Sequence, residues 1–76
     1  MNDVITNTRI KVRSVETGRV YDAQYVVERP LGQFGMVSAW MLIMTEHGVF
    51  LEAYKPTVTE AIGRLRERLA GKWERA

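Results

Sequence analysis

From Thr8 to Glu16, apolar and polar residues take turns. Ile10 and Val12 stand between Arg9, Lys11 and Arg13, the period-two pattern of a strand with one buried face. A second run of the same kind spans Arg19 to Glu28, and Thr17-Gly18 between them predicts a tight turn in which glycine supplies positive φ. Pairing outward from a two-residue turn sets Glu16 against Arg19, Ser14 against Tyr21 and Arg13 against Asp22. Val12 then meets Ala23, Lys11 meets Gln24 and Ile10 meets Tyr25. Ile10, Val12, Tyr21, Ala23, Tyr25 and Val27 would look inward. Arg9, Lys11, Arg13, Asp22, Gln24 and Val26 would look outward, with Arg13–Asp22 as a cross-strand ion pair.

The pattern breaks at Arg29-Pro30-Leu31-Gly32-Gln33-Phe34-Gly35, where a proline and two glycines predict a loop. Strand three is expected from Met36 to Thr45 and strand four from Val49 to Tyr54, joined at Glu46-His47-Gly48. This hairpin is apolar on both faces, so two registers stay open. A two-residue turn puts Met41, Ile43, Phe50 and Tyr54 on the face of Glu52. A three-residue turn with a glycine bulge puts Trp40, Leu42, Met44, Phe50 and Tyr54 there instead. It leaves Met41, Ile43, Leu51 and Ala53 as a charge-free face.

The period then changes. Val58, Ala61, Ile62, Leu65, Leu69 and Trp73 recur at helical spacing and form one apolar stripe. Thr57 and Glu60 have the spacing of a capping box, and Pro56 closes the preceding strand. The expected fold is α+β: a four-stranded antiparallel β-meander with one C-terminal helix packed on one face (ββββα). Residues 8–76 would form this single domain, and residues 1–7 a flexible, polar N-terminal arm.

Seventy-six residues allow one core, near the lower size limit for unaided folding. No cysteine is present to form a disulfide, and a single histidine argues against zinc. A partner chain is the remaining device for a domain this small. The N-terminus lacks the basic start and apolar run of a signal peptide, and the longest apolar run, Ala39 to Met44, is too short to span a bilayer. A cytoplasmic protein with no membrane contact is expected.

One helix cannot cover two apolar sheet faces. The residues that leave strands three and four apolar on both sides, Trp40, Met41, Ile43, Phe50 and Tyr54 with Glu52, therefore form the candidate protein interface. The net charge of +2 is mild, but two basic rows stand out: Arg9, Lys11 and Arg13 on strand one, and Arg64, Arg68, Lys72 and Arg75 along one helix edge. Either row could meet phosphates or an acidic protein surface. Catalysis has little support: His47 lies in a turn, and Ser14 and Ser38 lack a nucleophile's context. Gly32 to Gly35 lacks the lysine and helix of a phosphate loop. No cofactor, metal or small-molecule substrate is implied.

The stretch Glu52-Ala53-Tyr54-Lys55-Pro56-Thr57-Val58-Thr59-Glu60-Ala61-Ile62 resembles the strand-to-helix step of HicB-type antitoxins, where Thr-x-x-Glu-Ala begins the helix. The glycine usual before that threonine is Pro56 here. The element order is similar to the ββββα unit of Whirly and PUR-type single-strand binders, whose motifs do not appear. No family is assigned on either likeness. The expectation is a small non-enzymatic binding or regulatory module. It would act through the outer sheet face, by self-association or by docking on a larger partner as a phage-type inhibitor or antitoxin would. The alternative is a nucleic-acid binder using the two basic rows.

Overall fold

A computed structural model describes residues 3–32 and 34–76. Met1 and Asn2, part of the expected arm, and Gln33, in the expected loop, lie outside the described residues. Strands β1 (Asp3–Ser14), β2 (Val20–Arg29), β3 (Val37–Ile43) and β4 (Val49–Lys55) precede helix α1 (Val58–Leu69), and β5 (Trp73–Arg75) follows it. Among the described residues these form one antiparallel sheet in the order β4-β3-β2-β1-β5. The class is α+β as expected, with a fifth strand added to the four-stranded meander.

Two boundaries differ from expectation. Residues 3–7 are not an arm. They are the first half of β1, paired with β2 through a register shift between Val4 and Thr6 that leaves Ile5 as an extra residue. At the other end, the helix stops at Leu69 rather than running to Trp73. Gly71 adopts φ +81°, a left-handed conformation open to glycine, and Lys72 N–H donates to the Leu69 carbonyl over 3.1 Å. The chain then turns back onto β1. Trp73 sits opposite Ser14, and its ring meets Tyr21 edge-on at a centroid distance of 6.0 Å.

The β1–β2 hairpin closes through a longer loop than Thr17-Gly18. Ser14 N–H donates to the Arg19 carbonyl, and the Ser14 carbonyl accepts from Gly18 N–H, both over 2.8 Å. The Ser14 hydroxyl also accepts from Thr17 N–H at 3.3 Å. Ser14 thereby holds four residues, Val15 to Gly18, as the turn. The register slides by two: Ile10 faces Ala23, Val12 faces Tyr21 and Lys11 faces Asp22. A slide of two leaves every side chain on its face, so the inward set holds. It does move the ion pair, and Asp22 joins Lys11 at 3.0 Å rather than Arg13.

The core lies between the inner sheet face and α1. Val12, Ala23, Val27, Ala39, Met41, Ile43, Ala53, Ala61 and Leu65 form one buried cluster. The helix crosses β3 and β4. Thr57 caps it, its hydroxyl accepting from Glu60 N–H at 3.2 Å. Thr57→Ala is expected to destabilise the domain by about 1 kcal/mol through loss of this bond. Urea unfolding measures the change, and an unchanged midpoint would mean that the cap contributes nothing.

Candidate functional site

The β3–β4 pairing settles which residues share the outer face. Met41 faces Leu51, Ile43 faces Val49 and Ala39 faces Ala53 on the side of the helix. Leu42 faces Phe50, Trp40 faces Glu52 and Ser38 faces Tyr54 on the other. The faces are those of the glycine-bulge alternative, but the turn is not: Ile43 pairs with Val49, so five residues, Met44 to Gly48, connect the strands instead of three, with Gly48 at φ +73° ending the turn. Met41 and Ile43 are therefore corrected. They were expected at an interface, yet they are 4% and 0% exposed in the core. Trp40, Phe50, Glu52 and Tyr54 remain together on the outer face.

Extending the rows onto β2 enlarges the patch. Trp40 also faces Val26, and Leu42 faces Gln24. Val26 points outward as expected, and it is buried on that outer face because Trp40 flanks it on β3 and Asn7 on β1. Gln24 and Asn7 hydrogen-bond to each other beside it. The Trp40 and Phe50 rings lie 5.6 Å apart and tilted by 38°. Phe50 is 56% exposed and Tyr54 41%, and Met44 is exposed at the end of β3. Leu42 and Val26 share this face with Phe50 and Tyr54. Leu42 lies there in one of the two registers open from the sequence, and Val26 was expected outward, but neither was among the candidate interface residues, because two-sided apolarity hid the register.

Three polar groups of this face, Ser38, Glu52 and Tyr54, are tied to one another. The buried Ser38 hydroxyl donates to Glu52 Oε2 at 3.4 Å. The Tyr54 hydroxyl also reaches Glu52. Loss of hydration, and then the Glu52 charge and this hydrogen bond, raise its pKa above the usual tyrosine value. Glu52 is thus held by neighbours on its own face.

The basic rows divide. Lys11 pairs with Asp22, and Arg13 pairs with Glu74 of β5 at 3.3 Å. Of the strand row, Arg9 is left without an ion pair among the described residues. On the helix, Arg64 pairs with Glu67 at 2.9 Å, and Arg68 lies one turn on. Lys72 and Arg75 are not on the helix: Lys72 is in the turn after Gly71, and Arg75 is on β5 opposite Val12, on the inner face. The continuous basic helix edge is therefore corrected to two arginines, because the helix ends three residues before Lys72.

No helix among the described residues is long and apolar enough to cross a membrane. Comparison of the chain with protein-family models, with curated proteins and with solved structures gives no match. The functional reading rests on the chemistry of the two sheet faces.

Proposed function

We propose that this protein is a small binding module that self-associates through the outer face of β3 and β4. The observation that carries the reading is the cluster of Phe50, Trp40, Leu42 and Tyr54 on the face turned away from the helix. Exposed apolar groups grouped on one face, with their polar neighbours already hydrogen-bonded, lose little on losing water and gain from covering one another. A two-fold axis through the patch lets each copy cover the other's Phe50 with its own. An interface of standard size takes roughly 800 Å² from each partner, a modest share of the 5229 Å² the chain exposes. Association also compensates for the small core of a short chain.

A nucleic-acid platform is the weaker reading. Carboxylates neutralise two members of the strand row, and Glu52 stands among the aromatics where phosphates would approach.

Phe50→Glu combined with Tyr54→Glu is expected to give a folded monomer. Size-exclusion chromatography with light scattering reads the mass, and circular dichroism reads the fold. An unchanged mass would remove the outer face from the account, and an unfolded double variant would place these residues inside the domain.

A further inference from the structure

On the opposite face, the helix covers β3 and β4 but leaves part of β1 and β2 open. A groove of about 380 Å³ runs between them, within the range of roughly 300–1,000 Å³ typical of small-molecule sites. Ile10 of β1 and Ile62 and Leu69 of α1 line its length. Thr8, Ile10 and Val12 succeed one another along the inner side of β1, so the groove extends over about 13 Å at 3.3 Å per residue. Trp73, paired with Ser14, and Arg75, opposite Val12, stand at the Val12 end, where none of the lining residues carries a hydroxyl.

The Thr8 end is polar. Thr8 and Tyr25 sit directly opposite each other across the β1–β2 ladder, and both line the groove. Arg66 reaches over from the last turn of the helix. Its guanidinium has no ion pair among the described residues, yet its charge acts on the Tyr25 phenol. Burial raises the Tyr25 pKa and outweighs that charge, so the phenol stays a donor at neutral pH. The Thr8 hydroxyl lies 3.5 Å from the Arg9 carbonyl, a long contact that a ligand oxygen can replace. Two hydroxyls and one guanidinium suit a single carboxylate, whose charge the arginine balances.

We propose that this groove binds a medium-chain acyl carboxylate. Its head lies between Thr8, Tyr25 and Arg66, and its chain runs along Ile10 and Leu69 towards Trp73. The site lies on the face away from the Phe50 patch and stands independently of self-association.

Titration of the isotope-labelled protein with sodium decanoate, followed by amide NMR, tests this. Saturable shifts are expected at Thr8 to Val12 and at Ile62 to Ala70. Decanol, which lacks the charge, and acetate, which lacks the chain, should bind at least about tenfold more weakly. Tyr25→Phe with Arg66→Gln should lower decanoate affinity by about tenfold or more while keeping the amide spectrum dispersed. Arg68→Gln, a neighbouring surface arginine, should leave it unchanged. Shifts that never saturate, shifts centred on Phe50 and Tyr54, equal binding of decanol, or a double variant that binds like the wild type would each overturn the proposal.

Discussion

Leu65→Ala is expected to lower the unfolding free energy by about 2–5 kcal/mol. Leu65 is 1% exposed and, with Ala61, forms the buried centre of α1. Its side chain packs in the cluster that includes Met41, Ile43 and Ala53. The mutation removes the transfer free energy of the lost carbons and leaves a cavity that β-sheet neighbours, held by ladder hydrogen bonds, close only in part. A helix of 12 residues is marginal alone, so its stability comes from this contact with the sheet. A domain of this size has roughly 4–11 kcal/mol of total stability, so the variant should sit near the edge of folding. Denaturant unfolding at fixed pH gives the difference. A loss under about 1 kcal/mol would mean that the helix is not what holds the sheet's inner face.

Met41→Glu is expected to unfold the domain. Met41 and Phe50 lie on neighbouring strands but on opposite faces, and the domain should tolerate a carboxylate at one and not at the other. At Phe50 the charge would stay in water. At Met41 it would lie 4% exposed under the helix among Ile43, Leu65 and Leu51, and the Tyr25 phenol opposite it and the Arg66 guanidinium of the same groove would offset only part of its loss of water. Burying a carboxylate that is not fully paired costs several kcal/mol or forces the group to take up a proton, and the sum approaches the whole stability of the fold. Circular dichroism of Met41→Glu beside Phe50→Glu checks the pair. Native spectra for both would contradict the assignment of faces, as would loss of structure in Phe50→Glu alone.

Periodicity made the class of the fold legible and left the details of register hidden. In the first hairpin the alternation of Ile10 and Val12 with arginine and lysine defined the faces. The expected turn was two residues too short, yet side-chain parity survived because strand faces repeat every two residues. The second hairpin had no such protection. Met41 and Leu42 are equally apolar, so no charge marked the face of β3, and both Met41 and Ile43 were placed at an interface they do not join. The strand β5 escaped because Trp73 falls four residues after Leu69, in step with the helical stripe. Gly71 was the available signal, since a glycine just beyond the last apolar residue marks a helix end. The N-terminal half of β1 reads as an arm in the sequence because it is polar and rich in asparagine, and the extra residue Ile5 removes the alternation that would mark a strand. The groove could not be read at all: Thr8, Tyr25 and Arg66 come from three elements and meet only through the tertiary fold.

The measurement that bears most directly on self-association is the weight-average mass of the wild-type chain by sedimentation equilibrium, over a wide range of concentration. The account predicts a mass that rises with concentration towards twice the 8.7 kDa of one chain. A mass that stays at one chain across the whole range would contradict it.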